Sequence, residues 1–251
     1  MMDVVGHEPT PPNRGWFKTT RWSVVRRIQD FRPEERRHAW GEIFEIYWYP
    51  LYVFCRRRGS SENDATDLIQ GFFTHLLAGE GLNSVTPEKG LFRSYLLSAF
   101  RNYVSNEFRK EDAIRRGGQD VILNFSNLNP EIRYSLESKT EESPERAFER
   151  NWAEALLGRA RQRLAEEYEN STKAELFAML QPHLAHEGEA STQAEIGMKL
   201  NLSAQLVRKS LERMRRRFGN LILEEIAATV NDTDEVEDEL RHLLNILGAK
   251  P

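Results

Sequence analysis

The sequence predicts an all-α protein made of two small helical domains joined by a flexible acidic linker. Two observations support this: apolar residues recur at helical spacing over most of the chain, and the charge changes sign in blocks. Residues 1–117 carry 18 Lys/Arg against 15 Asp/Glu, residues 118–190 carry 8 against 14, and residues 222–251 carry 2 against 8. The expected parts are an N-terminal arm at 1–30, a first domain at 31–117, a linker at 118–150, a second domain at 151–221 and an acidic amphipathic helix at 222–251.

Composition narrows the class of protein. The chain has 251 residues, of which 39% are hydrophobic and 29% charged, as in ordinary globular proteins. It has no run of about 18 apolar residues, so we expect no transmembrane helix and no membrane association. The start, MMDVVGHEPTPPNRG, lacks the apolar segment of a signal peptide. The one cysteine, Cys55, lies in the apolar run LYVFC, excludes an internal disulfide and agrees with a reducing cytoplasmic location.

The first domain is predicted to begin with two strongly apolar helices. The opening one reads RRHAWGEIFEIYWYPLYVFCRRRG, and Pro50 is expected to kink or divide it because proline removes an intrahelical hydrogen bond. The next, SENDATDLIQGFFTHLLAG, starts at Ser61 with Asp64 three residues on, which is typical of a capping box. Its expected buried face consists of Ala65, Leu68, Ile69, Phe72, Phe73 and Leu76, which leaves Asp64, Asp67 and Gln70 for solvent or a partner.

A third helix, EKGLFRSYLLSAFRNYVSNEFRKEDAIRRGG, is basic and rich in aromatic residues. A helix of this composition can bind a phosphate backbone and stack unpaired bases. Its apolar stripe is Phe92, Leu96, Phe100 and Tyr103, and core packing is the alternative to DNA contact for Tyr103 and Phe108. After it, GGQDVILNFSNLNPEIRYSLESKTEESP has little periodicity and is rich in Ser, Asn and Glu, as linkers are.

The segment STQAEIGMKLNLSAQLVRKSLERMRRRF has the spacing of a helix-turn-helix. Gly197 is small where the two helices cross, and Asn201 tolerates the positive φ that the corner needs. Ser191 or Thr192 can cap the first helix, and Ser203 the second. The second helix has the apolar stripe Val207, Leu211, Met214 and Phe218.

Cations are concentrated around this motif. Residues 191–221 carry seven Lys/Arg against two Glu, although the formal net charge of the chain is −4. A helix-turn-helix places the start of its second helix in the major groove, where Arg and Lys contact guanine or phosphate. The alternative is an ordinary helical hairpin with a basic, solvated face. We expect DNA contacts from Ser203, Gln205, Arg208, Lys209, Arg213 and Arg216.

The sequence contains no recognisable catalytic constellation. PEKGLF lacks the leading glycines of a phosphate-binding loop. His183 and His186 can share a helix face, but no cysteine or third histidine lies near them in the sequence. We therefore expect no enzymatic activity, no cofactor and no metal.

Three motifs occur in a diagnostic order: DATDLIQGFF, then FRSYLLSAFRN, then, after the linker, AEIGMKLNLSAQLVRKSLERMRRRF. This order resembles that of the extracytoplasmic-function sigma factors of bacterial RNA polymerase, which belong to the sigma-70 family. The resemblance covers nearly the whole chain. Four more segments resemble the long variant found in planctomycetes and related bacteria: TRWSVVRRIQD, LYVFCRRRG, TPEKG and EEIAATVNDTDEVEDELRHLLNILG.

The resemblance implies a subunit that binds core RNA polymerase and directs it to promoter DNA. In that family the helix matching residues 61–77 docks on the clamp helices of the largest polymerase subunit, so Asp64, Asp67 and Gln70 become candidates for core binding. The helix matching residues 92–109 melts and reads the minus-ten element, and the second domain reads the minus-thirty-five element as duplex. The candidates on the melting helix are Arg93, Arg101, Asn102, Tyr103 and Arg109, with Asn102 where relatives hold a flipped-out base.

The resemblance also implies an inhibitory partner, either an anti-sigma protein or a kinase-linked regulator. Two features depart from the family pattern. Asn106 stands where many relatives have Asp, and the second domain begins with LAEEYENSTKAELFAML instead of a Leu-Pro start. Two other functions stay open from the residues alone: a free-standing helix-turn-helix regulator, and a helical interaction protein that never meets DNA.

The C-terminal tail predicts a further helix. Val236, Leu240, Leu243 and Leu247 form an apolar stripe behind the acidic run DTDEVEDE, and Asp232 or Thr233 can cap it. Such a helix is expected to pack on the preceding domain. A sharper hypothesis is that its acidic residues lie near the cations of residues 203–217 and weaken DNA binding.

Overall fold

Helices account for all regular secondary structure in the residues that the computed structural model describes, namely 33–78, 91–113, 130–137, 142–169, 173–184, 192–228, 230 and 235–248. The all-α prediction is confirmed for this part of the chain. The helices are α1 (Pro33–Arg57), α2 (Glu62–Ala78), α3 (Phe92–Ala113), α4 (Pro130–Leu136), α5 (Pro144–Glu169), α6 (Ala174–Leu180), α7 (Gln193–Leu200), α8 (Ala204–Ala227) and α9 (Glu235–Ile246), with a 3₁₀ turn (Gln181–Leu184) after α6.

The larger hydrophobic core is aromatic and is built from α1, α2 and α3, with contributions from α5, α8 and α9. Edge-to-face pairs interlock the first three helices: the ring centroids of Phe44 and Phe73 are 4.4 Å apart, and those of Phe72 and Phe100 are 5.0 Å apart. Cys55 is buried in this core, and burial raises the pKa of its thiol to about 12. Its predicted role as a core residue is confirmed.

Helix α1 is apolar around much of its circumference because it is packed on several sides. Its most extensive partner is α5, which contributes Phe148, Trp152 and Leu156 to the aromatic core. The sequence predicts a kink or a division at Pro50, but α1 continues through it to Arg57. The division is therefore wrong, and burial of the residues on both sides of Pro50 explains why the helix persists.

The predicted linker at 118–150 contains helical residues where it is described. Helix α4 lies on α1: the Tyr52 hydroxyl donates to Glu131 at 2.6 Å, and the Tyr49 hydroxyl donates to Glu137 at 2.7 Å. These contacts are tertiary, so local periodicity does not indicate them. The start of α5 is detectable in the sequence, because the Ser143 hydroxyl accepts from the Arg146 N–H and Pro144 stands at the first helical position.

A second, smaller core lies under the helix-turn-helix and is formed by α5, α6, α7 and α8. Helix α5 reaches both cores, since its first half packs on α1 and its residues Ala160 and Leu164 lie in the second core. The expected start of the second domain at 151 thus falls inside a continuous helix. Helix α8 likewise extends to Ala227, past the expected end of the second domain at 221.

Ion pairs fix α8 against α5. Arg163 binds both Glu224 and Glu225, and the Nε of Arg159 lies 3.3 Å from an Oε of Glu225, which is buried. Arg217 of α8 also binds Glu167 of α5. These arginines are therefore paired with carboxylates of the chain itself, and the pairs hold α8 on α5.

Several sequence-based predictions lie outside the described residues: the arm at 1–30, Ser191, His186, and the caps Asp232 and Thr233. Among the residues that are described, no helix is both long enough and apolar enough to cross a membrane.

Candidate nucleic-acid interface

The helix-turn-helix corner has the geometry that the sequence predicts. Thr192 and Glu195 form a reciprocal capping box at the start of α7. Asn201 ends that helix in the left-handed region with φ of 53°, and its N–H bonds back to the carbonyl groups of Gly197 and Met198. The two helices are therefore joined by a tight, hydrogen-bonded turn.

The second helix of the motif, α8, begins at the predicted cap. The Ser203 hydroxyl accepts from the Leu206 N–H at 3.2 Å. Val207, Leu211 and Met214 are buried, and Phe218 packs at the edge of the same core. The opposite side of the helix faces outward, and all six DNA-contact candidates on it are exposed: Ser203, Gln205, Arg208, Lys209, Arg213 and Arg216.

Two cations of this helix bind residues of other elements, whereas Arg208 pairs with Glu212 of the same exposed face, at 3.7 Å. Arg217 binds Glu167 and Glu224, and these carboxylates raise its pKa. Arg215 donates to the backbone carbonyl of His183 at 3.0 Å. The cationic face available to a polyanion is therefore the one that carries Arg208, Lys209, Arg213 and Arg216.

Helix α2 presents the acidic face expected from its sequence. Asp67 is exposed and Gln70 is half-buried, while the opposite side of the helix is buried in the aromatic core. Asp64 is also exposed, but it forms the predicted cap with Ser61: its N–H donates to the Ser61 hydroxyl at 3.1 Å, and its carboxylate accepts from the Ser61 N–H at 3.4 Å. Asp64 thus supports the helix start as well as contributing charge to this face.

The outer half of α3 exposes polar and cationic side chains. Arg101, Asn102 and Arg109 are exposed there, and Phe108 is 52% exposed. A guanidinium nitrogen of Arg101 lies 3.6 Å from a carboxylate oxygen of Glu145. This half of α3 therefore combines cations, an amide and an exposed ring, which are the groups that bind single-stranded nucleic acid.

Tyr103 is less available than its neighbours. Its ring packs against Phe72 and His75, and burial raises the pKa of its phenol to about 12. The phenol oxygen also reaches α2, where a Cβ added at Gly71 would collide with it. Tyr103 therefore serves mainly to pack α3 on α2.

Arg93 does not lie on the exposed face predicted for it. It is 5% exposed and forms an ion pair with Glu239 of α9, and its guanidinium carbon lies 4.6 Å above the Trp152 ring. The Arg93 guanidinium is therefore shielded from solvent in this conformation, and the expectation of an exposed cation at this position is wrong. The sequence signal that could have suggested this is the acidic amphipathic tail, which needs a cationic or apolar surface to pack on.

The same contact bears on the hypothesis about the tail, of which residues 231–234 lie outside the described part of the chain. Glu239 lies against Arg93 of α3 instead of the cations of residues 203–217. Helix α9 packs on α5 and on the C-terminal part of α8. The tail does pack on the preceding helices, as expected, but it covers a different cation.

The described residues bring together no group of three or more His, Cys, Asp or Glu side chains suited to a metal ion. His183 lies in the 3₁₀ turn after α6. No protein-family model matches the sequence, and neither curated proteins nor solved structures gave a match.

Proposed function

We propose that this chain is a sigma factor of bacterial RNA polymerase, which binds the core enzyme through its first helices and directs it to promoter DNA. The observation that most strongly supports the proposal is the helix-turn-helix at Gly197 and Asn201, whose second helix turns four cations and a glutamine outward. A separate acidic face on α2 supplies a surface for a basic protein partner.

Each exposed surface is assigned one step of promoter recognition. The start of α8 reads duplex DNA at the minus-thirty-five element, because its Gln and Arg side chains can contact base edges and its other cations phosphates. The outer half of α3 holds the melted minus-ten strand, with Asn102 facing a flipped-out base and Arg101 and Arg109 neutralising phosphates. Asp67 and Gln70 contact the polymerase clamp, with Asp64 beside them.

In this proposal two functional units, one around α1–α3 and the other around the helix-turn-helix, act on one promoter. The protein works in the cytoplasm by binding, without catalysis or a cofactor. An anti-sigma protein or a kinase-linked regulator controls it. Its promoter contacts depend strongly on salt, since phosphate binding releases counterions.

The decisive experiment measures binding of the purified chain to bacterial core RNA polymerase. Asp67→Arg is the preferred variant because Asp67 is exposed and forms no part of the α2 cap, unlike Asp64. We expect it to weaken core binding by at least about tenfold, because like charges opposed at an interface cost several kcal/mol. The double variant Asp64→Arg/Asp67→Arg should be weaker still.

Glu166→Arg is the matched control, since it reverses one exposed carboxylate on another helix, α5. It should leave core binding unchanged. A folded wild-type chain that does not bind the core enzyme would refute the proposed function.

One observation favours a free-standing helix-turn-helix regulator as the second candidate. Arg93 is buried under α9, which removes one cation from the surface that would hold melted DNA. A regulator of this kind would bind duplex DNA without polymerase, commonly as a dimer on a palindromic site. Sedimentation of the chain on selected DNA separates the two, since a sigma factor acts as a monomer on an asymmetric promoter.

A further inference from the structure

The contact between α9 and α3 joins parts of the chain that are far apart in sequence. Arg93 and Glu239 are separated by 146 positions, form a hydrogen-bonded ion pair, and are 5% and 4% exposed. Charged side chains are seldom buried to this degree unless they are paired. The pair therefore fixes where α9 docks.

The rest of the α9 interface closes around this pair. Val236 and Leu243 of α9 are buried in the aromatic core on either side of Glu239, and the Trp152 ring of α5 lies on the guanidinium of Arg93. His242, one turn further along α9, lies 3.7 Å from a carboxylate oxygen of Glu149. Solvent is thus excluded from the Arg93 guanidinium on several sides.

Helix α9 is also suited to detach. It has 12 residues, and isolated helices of this length are marginal in water. Its docked state therefore depends on the contacts that it makes with α3, α5 and α8. A buried ion pair adds specificity more than stability, because both charges lose their hydration.

We propose that α9 is an intramolecular cover for a phosphate-binding position on α3, with the carboxylate of Glu239 standing where a DNA phosphate would bind Arg93. The identity of the competing ligand rests on the proposed function. Arg93 lies on the same helix as Arg101, which is exposed about two turns further along and about 80° around the helix axis. Release of α9 adds Arg93 to Arg101 as a second cation, so the closed chain binds single-stranded promoter DNA weakly and the open chain binds it more tightly.

The mechanism is competition between two anions for one guanidinium. Both a carboxylate and a phosphate form strong, charge-assisted hydrogen bonds with Arg. Binding of DNA at Arg93 and docking of α9 exclude each other, so each weakens the other by the same factor. Any partner that pulls α9 away raises the DNA affinity of the chain.

The test uses the full chain with Glu239→Gln and Glu239→Lys, which remove or reverse the covering charge. Glu237→Gln is the matched control because Glu237 is exposed on the same helix. Amide hydrogen exchange of α9 reports whether the cover has opened. Affinity for a single-stranded oligonucleotide, measured at several salt concentrations, reports whether Arg93 has become available.

We expect both Glu239 variants to speed exchange in α9 and to raise oligonucleotide affinity by at least about fivefold, the lower end of typical coupling between sites. The salt slope should steepen by about 0.7 for one added phosphate contact to a single strand. Adding Arg93→Ala to Glu239→Lys should abolish the gain. Glu237→Gln should change neither measurement.

Three results would overturn the cover. The first is amide exchange in α9 that is unchanged in both Glu239 variants. The second is faster exchange in α9 without a change in oligonucleotide affinity. The third is a gain in oligonucleotide affinity that persists when Arg93→Ala is added. If the Glu239 variants do not fold, Leu243→Ala in the full chain replaces them, because it weakens the apolar contact of α9 and keeps both charges. Faster exchange in α9 with oligonucleotide binding no tighter than that of the wild type then overturns the proposal. Binding of the wild-type chain to core polymerase tests the proposed function without involving α9. It therefore distinguishes a failure of the cover from a failure of the proposed function.

Discussion

Gly197 lies against the backbone of Leu202 at the corner of the helix-turn-helix. A Cβ added at position 197 would fall 2.7 Å from the Leu202 carbonyl oxygen, closer than real Cβ atoms approach. The obstacle is backbone and not a flexible side chain, so the corner itself would have to move. Glycine at 197 therefore sets how closely α7 and the start of α8 can cross.

Gly197→Ala is expected to lower the free energy of unfolding by about 1–3 kcal/mol, as overpacking in a tight site does. Chemical denaturation measures the change. Gly158→Ala is the control, because a Cβ at that helical position meets nothing within 4 Å. It should stabilise the chain by about 0.5–1 kcal/mol through helix propensity. Equal destabilisation by both changes would contradict the close approach at 197.

Charge reversal on α8 should abolish duplex DNA binding without unfolding the chain. Arg208→Glu and Lys209→Glu together place two negative charges on an exposed cationic face, while the buried stripe of the helix is unchanged. The single Ala variants should each lower the salt slope of binding by about 0.9, the value for one phosphate contact.

Arg217→Ala separates a packing role from a DNA-binding role on the same helix. Arg217 binds Glu167 and Glu224, so its loss should lower the melting temperature and have little effect on the salt slope. Calorimetry and filter binding measure the two properties. A slope that falls as much as for Arg208→Ala would place Arg217 in the DNA interface instead.

Mild acid should loosen the α9 contact through His242. Burial and the neighbouring Arg93 lower the pKa of His242 below its ordinary value of about 6.5, while Glu149 of α5 opposes the shift. The unfolded chain therefore binds this proton more readily than the folded chain. The contribution of neutral His242 to the free energy of unfolding is fully present above about pH 6.5 and is lost as the pH falls through the lower pKa of the folded state. Denaturant titrations between pH 8 and 5.5 measure the change.

His242→Gln should flatten that dependence. Carboxylates must not titrate in the same pH range. The pKa values of Glu131 and Glu167 are also lowered, so these groups lose their contributions to the free energy of unfolding only at more acidic pH. The pH window above 5.5 keeps these groups ionised. An unchanged pH dependence in His242→Gln would assign the effect to another group.

Tyr52→Phe tests the docking of α4 on α1. The Tyr52 hydroxyl donates to Glu131 at 2.6 Å, and burial together with that carboxylate raises the pKa of the phenol. Loss of the bond should lower the free energy of unfolding by about 1 kcal/mol. It should also increase proteolytic cleavage around residues 130–137. Stability equal to the wild type would mean that Arg56 alone holds Glu131.

The local chemistry of the helix-turn-helix is encoded in short stretches of sequence. Capping at Thr192 and Ser203, the left-handed Asn201 and the stripe beginning at Val207 all follow from interactions within a few residues. The capped start of α2 at Ser61 is of the same kind. Such features can be predicted because spacing and backbone preference, which neighbours in the chain determine, are sufficient to produce them.

Features that join distant segments cannot be predicted in this way. The sequence indicates that Arg93 lies off the apolar stripe of α3, yet Glu239 and Trp152 bury it. Helix α1 continues through Pro50 because its surroundings are packed. Whether a charged side chain is buried, or a helix continues through a proline, depends on the surface that packs against it. That surface comes from a distant part of the sequence. Local sequence determines the helical periodicity, the caps and the cationic face of α8, because these depend on residues close together in the chain. The burial of Arg93 under α9 is determined by the tertiary structure alone, because it depends on packing between distant segments.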